Sequence, residues 1–375
     1  MPVSLPFVDL KQQYARLKPL IDARIHAVLD HGQYILGPEV AELEGELARR
    51  AGARHCLTVA SGTDALIMPL MARNIGPGDA VFVPAFTFTA TAEAILLLGA
   101  SPVFVDVDPE TYLVDLADLE RRIAATTAAG TLSPKAVIAV DLFGLPVDYP
   151  KLQALADAHG LFVIDDAAQS FGGAFHGRPV GSLAPVTATS FYPAKPLGCY
   201  GDGGAIFTDD DELAGILKSI RVHGEGKSRY DTVRVGLNAR FDTIQAAVLL
   251  AKLPSFGEEL EARDRLARHY SARLSNRIQT PVMPDGLTCA WAQYTIRVAD
   301  RDAVRARLGE AGVPTAIYYP TPMHLTEAYR AHGEGEGSLP VSEALSREVL
   351  SLPMHPFLSD ADADRVCDAV IAAVG

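Results

Sequence analysis

The sequence predicts an α/β protein with a large, mostly parallel-sheet domain followed by a small C-terminal α+β domain, and three observations predict it. Short apolar runs alternate with helical stretches through the first half of the chain. The runs are apolar at successive positions and lie a dozen or more residues apart, the mark of strands buried on both faces and joined by helical crossovers. Beyond Gly201 the strands shorten and the pattern changes. The boundary is placed near Pro254, giving a large domain over 1–253 and a small one over 254–375.

Taken in order, Leu10, Tyr14, Leu17, Ile21, Ile25 and Val28 recur at three- and four-residue spacing, the stripe of an amphipathic helix ended by Gly32. A second helix follows Pro38. Cys56–Val59, Ala80–Pro84, Val103–Asp106, Ala136–Val140 and Leu161–Ile164 read as buried parallel strands. A shorter strand over Ala205–Thr208 leads into a basic, glycine-containing loop and a helix pair over Phe241–Lys252 and Glu258–Leu274. The segment Gly333–Gly337 is a polar loop, and no internal repeat is present.

The 375 residues carry 33 Lys+Arg against 46 Asp+Glu, a formal net charge of -13, which repels polyphosphate and argues against nucleic-acid binding. An anionic ligand therefore needs a local basic site. Cys56, Cys199, Cys289 and Cys367 are far apart in the chain, with no C-x-x-C pair, so neither a disulfide framework nor a zinc site is expected. The N-terminal stretch lacks an apolar leader, and the most apolar run, Ala90 to Val105, is broken by Gly99 and Pro102 before membrane-spanning length. A cytoplasmic protein, with neither membrane nor metal, is the expectation.

Ligands of open α/β sheets sit beyond the carboxyl ends of the strands, and five such places are chemically loaded. Ser61-Gly62-Thr63-Asp64 is a small-residue turn entering a helix, suited to a phosphate, although an ordinary helix cap has the same composition. Phe86 and Phe88 end a strand, where one of them can stack on a planar ligand. Asp165 and Asp166 are adjacent, so one points inward and one outward; Asp165 is read as a helix cap. Lys195 lies between Pro193 and Pro196 and ahead of Gly198, Gly201, Gly203 and Gly204. Of eight lysines it alone sits among aromatics, prolines and glycines, where loss of water favours a neutral, nucleophilic amine; Lys252 reads as a polar helix position. Finally Lys218, Arg221, Lys227, Arg229, Arg234 and Arg240 form a basic segment that a diphosphate would require, with Lys218 and Arg221 read as its solvated face.

Together these motifs resemble the DegT/DnrJ/EryC1/StrS sugar aminotransferases, pyridoxal-phosphate enzymes of fold type I. The resemblance runs from FVDLKQQY and GQYILGPEV through SGTDAL, PAFTFTATAEA, VIDDAAQSFG and SFYPAKPLGCYGDGGA to VGLNARFDTIQAAVLLAKL and YYPTPMHL, essentially the whole chain. It implies that Lys195 bonds the cofactor and carries protons, and that Asp166 pairs with the pyridine nitrogen. It also implies that Gln169 meets the ring hydroxyl, that Phe88 stacks on the ring, and that Gly62, Thr63 and Ser190 hold the phosphate. Asn238 would reach the phosphate from a partner subunit, with Arg240 on the nucleotide sugar, so a homodimer with shared sites follows. Tyr318, Tyr319 and His324 would lie on the sugar; Tyr318 stands where the family often carries His.

The loop PLGCYGDGG resembles the members that aminate C3. The implied reaction moves an amino group from an amino acid, glutamate first, through pyridoxamine phosphate to a 3-keto nucleotide sugar. The nearest substrate is UDP-2-acetamido-2-deoxy-3-oxo-glucuronate, of bacterial O-antigen synthesis; 4-keto and dTDP-3-keto sugars are the alternatives. A sugar dehydratase of this family would carry histidine at Lys195, a cofactor-binding regulator would show a DNA-binding motif, and a nicotinamide dehydrogenase would need G-x-G-x-x-G after its first strand. None of these features is present.

Overall fold

The computed structural model describes residues 5–228 and 230–375. Two helices, α1 (Leu10–His31) and α2 (Pro38–Ala51), precede an alternating series. The series is β1 (His55–Val59), α3 (Gly62–Ala72), β2 (Asp79–Pro84), α4 (Thr89–Leu97), β3 (Ser101–Val105), α5 (Leu116–Ala129), β4 (Ser133–Val140), α6 (Tyr149–His159) and β5 (Phe162–Asp166). The short strands β6 (Ala174–Phe175) and β7 (Arg178–Pro179) lead to β8 (Val186–Ser190), β9 (Gly204–Thr208), α7 (Asp211–Arg221), α8 (Thr243–Lys252) and α9 (Phe256–Leu274). The remainder is β10 (Leu287–Thr288), β11 (Tyr294–Arg297), α10 (Arg301–Glu310), α11 (Pro340–Glu348), β12 (Val349–Leu352) and α12 (Asp360–Val374).

Seven strands form one sheet in the order β1-β9-β8-β5-β4-β2-β3. Five of them pair in parallel from β8 to β3, while β9 runs antiparallel to both its neighbours, β1 and β8. β1 therefore keeps the common direction but reaches the parallel strands only through β9. Successive residues serve opposite faces: Val137 and Ala139 belong to one core with Val163, and Ala136 and Ile138 to another with Ile164. The first core continues without interruption into the C-terminal elements, through Tyr270, Tyr294, Leu350 and Val366. There β11 and β12 make a separate antiparallel pair, and β10 returns to pair with β6.

Helix ends follow local chemistry. Asp9 caps α1 by accepting from the Gln12 N–H, and Gly32 ends it in the left-handed conformation, φ +72, that a side chain would resist. Three expectations fail. Asp165 caps no helix: it lies within β5, fully buried, accepting from the Thr187 hydroxyl. Lys252 is buried, its ammonium donating to the Gly198 carbonyl at 2.6 Å and lying over the Tyr200 ring. Arg221 is buried as well, bonded to Glu44 at 2.6 Å and to the Thr58 carbonyl at 3.0 Å, which ties α7 to α2 and β1. Arg229, counted in the basic segment, lies outside the described residues.

Candidate active site

The carboxyl ends of β1, β2, β5 and β8 open onto a cleft of about 520 Å³ lined by Gly62, Thr63, Phe88, Asp166, Gln169, Ser190, Lys195, Tyr318 and Tyr319, among others. Nine of the residues singled out from sequence thus converge, although Gly62 and Tyr319 are more than two hundred positions apart. No helix in the described residues is long and apolar enough to cross a membrane, and no group of acidic, histidine or cysteine side chains there could hold a metal ion.

α3 starts at the cleft floor, with Ser61 as its cap accepting from the Asp64 N–H at 3.0 Å. The first N–H groups of a helix have no intrahelical acceptor and carry the positive end of its dipole, which suits a phosphate. Gly62 is needed there for space: a Cβ would sit 2.7 Å from the Ser190 Cβ. Of the two aromatics after β2, Phe86 is buried core while Phe88 is 55% exposed in the cleft, free to cover a flat ring.

Asp166 ends β5 with its carboxylate buried. Thr91 donates to Oδ2 at 2.8 Å and the Ala168 N–H to Oδ1 at 3.2 Å. Burial raises its carboxyl above the ordinary value, with Thr91, Ala168 and Lys195 pulling the other way. Burial likewise lowers the Lys195 ammonium, opposed by Asp166. The two groups thus stabilise each other's charge across the cleft. Gln169 is fixed at both ends of its amide: Oε1 accepts from the Phe143 N–H at 2.6 Å, and Nε2 donates to the Tyr319 hydroxyl at 3.2 Å. That pattern orients the amide and leaves the second Nε2 hydrogen for a ligand.

These residues fit pyridoxal phosphate. In this cleft the α3 N-terminus beside Ser190 would take the phosphate, Phe88 the ring face, the Asp166 carboxylate the ring nitrogen, Gln169 the ring hydroxyl and the Lys195 amine the carbonyl carbon.

Three expected residues lie elsewhere in this chain. Asn238 and Arg240 are not among those lining the cleft; Asn238 is exposed and pairs through its backbone with Val222, and Arg240 pairs with Val59. His324 is drawn away from the cleft. The Met323 N–H donates to the Ala85 carbonyl, and the His324 imidazole is buried against Glu343, 3.1 Å away, beside Phe104. Sequence reading also passed over Gln293, which lines the cleft from the start of β11, and Thr91, whose place beside Asp166 depends on a strand 75 positions away.

A seven-stranded sheet with one reversed strand, carrying a lysine set against a carboxylate at its carboxyl end, defines a pyridoxal-phosphate-dependent transferase of the aspartate aminotransferase-like fold. Comparison with known proteins narrows the class. Residues 16–371 match the DegT/DnrJ/EryC1/StrS aminotransferase family. A Pseudomonas aeruginosa UDP-2-acetamido-2-deoxy-3-oxo-D-glucuronate aminotransferase is 48% identical over 367 residues, 98% of this chain and 99% of that protein. A solved DegT DnrJ EryC1 StrS aminotransferase from Brucella abortus superposes with a TM-score of 0.97 at 53% identity, covering 99% of this chain and 100% of that one. NtdA of Bacillus subtilis, solved with bound cofactor PMP, gives a TM-score of 0.90 at 28% identity over 100% of this chain and 86% of its own. The chain belongs to the DegT/DnrJ/EryC1/StrS aminotransferase family.

Proposed function

We propose that this chain transfers an amino group from an amino acid, glutamate first among donors, to C3 of a 3-keto nucleotide sugar. UDP-2-acetamido-2-deoxy-3-oxo-glucuronate or a close relative is the acceptor, for bacterial surface-polysaccharide synthesis in the cytoplasm. The observation that carries the reading is the pairing of Lys195 with Asp166 in one buried cleft, each shifting the other's proton affinity. The 48% identity to the Pseudomonas enzyme supports the choice of sugar. Four free, buried cysteines agree with a reducing compartment.

The bound cofactor supplies a ring that takes up the electron pair left behind when a proton leaves the amino-bearing carbon. The protein does the rest. The Asp166 carboxylate, whose charged form Thr91 and the Ala168 N–H favour, would hold a proton on the ring nitrogen. Lys195, its ammonium lowered by burial, would hold the cofactor through Nζ and, once the donor's own amine has displaced it there, would take the proton from the donor's α-carbon and return it. Phe88 and Tyr319, whose ring centres lie 6.1 Å apart, would flank the ring.

A homodimer with shared sites completes this reading. Lys195 is the one basic side chain among the described residues lining the cleft, yet a nucleotide sugar brings a diphosphate. The partner's basic segment supplies the missing charge, with Asn238 on the cofactor phosphate and Arg240 on the nucleotide sugar. Exposed apolar side chains near it, Val233 and Val235, and on the α1–α2 loop, Tyr34, Ile35 and Leu36, suit burial against a second copy. The test is direct: glutamate bleaches the yellow enzyme and a 3-keto nucleotide sugar restores its colour. An enzyme that glutamate leaves yellow is not a transaminase of this kind.

A further inference from the structure

Gln293 stands immediately before β11, on the wall of the cleft that holds Lys195 and Asp166. Its backbone N–H donates to the Phe143 carbonyl at 3.5 Å, and the Phe143 N–H donates to Gln169 Oε1 at 2.6 Å. One residue's backbone therefore holds both glutamines, and places Gln293 on the Gln169 side of the cleft. The two differ in one respect. Gln169 has both amide atoms engaged within the chain, whereas Gln293 Oε1 is buried with no hydrogen-bond partner. The Tyr112 hydroxyl, which shares the small pocket behind Gln293, is also buried and unpartnered. A buried polar atom left unpaired is costly, so an unpartnered amide oxygen on a residue of the cleft wall marks a place where a ligand supplies the missing bond.

We propose that Gln293 is a sugar-binding residue whose side-chain amide hydrogen-bonds a hydroxyl or acetamido group beside the reacting carbon of the keto sugar. This rests on the keto-sugar reading of the cleft. The choice of ligand group follows from the amide's chemistry. Whichever way the amide is turned, it presents a donor at one end and an acceptor at the other. A hydroxyl or an acetamido group also has both functions and can satisfy it. A carboxylate only accepts, and would leave the amide oxygen as unpaired as before. The amino-acid donor offers carboxylates to the cleft, the sugar offers hydroxyl and acetamido groups beside its reacting carbon and carries its own carboxylate away from it on C5, and Gln293 thus acts in one half of the reaction more than in the other.

The test uses Gln293→Met in the holoenzyme, a change that keeps the length of the side chain and removes both functions. The two halves of the reaction are followed separately by cofactor absorbance: glutamate against the yellow form, and the stable UDP-2-acetamido-3-amino-2,3-dideoxy-glucuronate against the same form in the reverse direction. The expected result is a fall of about 10- to 100-fold in kcat/KM for the amino sugar, with the glutamate half changed by less than about threefold. The intact glutamate half reports a folded site, and Gln293→Leu repeats the measurement with a different apolar side chain. Equal losses in both halves, or no loss with the amino sugar, overturn the proposal. A wild-type enzyme inert toward the amino sugar overturns the keto-sugar reading and this proposal with it; a reactive wild type beside an unimpaired variant overturns this proposal alone.

Discussion

Replacing Thr91 by valine removes a single O–H donor from the Asp166 carboxylate, to which the proposed mechanism gives the ring nitrogen. The Thr91 hydroxyl donates to Asp166 Oδ2 at 2.8 Å in a fully buried setting, and the substitution nearly preserves volume, so packing changes little. A hydrogen bond to a charged group is worth about 1.5–3 kcal/mol, and one pKa unit corresponds to about 1.36 kcal/mol. Loss of the bond therefore raises the Asp166 carboxyl further. The direction is fixed by the opposing influences: burial already pushes this carboxyl up, and only the Ala168 N–H and Lys195 remain to hold it down. The acid limb of the kcat/KM profile then moves to higher pH. Activity falls most in acid, by about tenfold or more, and recovers as pH rises. Steady-state rates of wild type and Thr91→Val across the pH range decide the matter. An equal fractional loss at every pH, or an unmoved acid limb, would mean that Thr91 does not support the charge on Asp166.

Asp166→Asn should cost orders of magnitude in turnover and Asp165→Asn little, because only Asp166 faces the cleft while Asp165 lies buried on the other face of β5; turnover of the two variants checks this, and the reverse ranking would put the wrong carboxylate on the ring nitrogen. Asp141, buried against Asp165 and Asp166 and accepting from Tyr149, Ser170 and the Val147 N–H, is raised from 3.8 to about 7, mainly by burial. Its protonated form stabilises the fold fully below the unfolded value, and that contribution is lost as pH rises through about 7. Denaturation of wild type against Asp141→Asn should show wild type losing ground between pH 4 and 8, whereas a gain would mean that Asp141 folds as an anion. Mixing inactive Lys195→Ala with inactive Arg240→Ala should restore about a quarter of wild-type activity at equal amounts, since a mixed dimer of shared sites has one site intact; no recovery after verified subunit exchange would mean that each site is built from one chain.

Much of this was legible in the sequence because strand ends advertise themselves. Val59, Val83 and Ile164 are each followed by polar or small residues that core packing does not need, and the structure brings those residues to one cleft. What escaped depended on partners far along the chain. Arg221 looks like a solvated arginine until Glu44, 177 positions away, is folded against it. Lys252 needs the Gly198 carbonyl, and Asp165 needs Thr187. β8 reads VTATS, small and polar enough to pass for a loop, yet it is fully enclosed between β5 and β9. β11 and β12 are four residues each, too short for a period-2 pattern to stand out, and they pair across more than fifty positions. His324 stands in a stretch that resembles the family's site, but its imidazole is buried against Glu343 on α11 and away from the cleft lining.

The identity of the lysine that bonds the cofactor is the point on which everything else turns. Borohydride reduction of the yellow holoenzyme, followed by peptide mapping, fixes the cofactor permanently to that side chain. The alternative is a real one, because Lys252 is also buried and its ammonium is lowered to about 8 by that burial; its amine, however, is spent on the Gly198 carbonyl and the Tyr200 ring, and it does not line the cleft. The modified peptide should carry the label on Lys195 alone, and Lys195→Ala should bind the cofactor without becoming labelled. Label on Lys252, or label undiminished in Lys195→Ala, would contradict the assignment of the cleft.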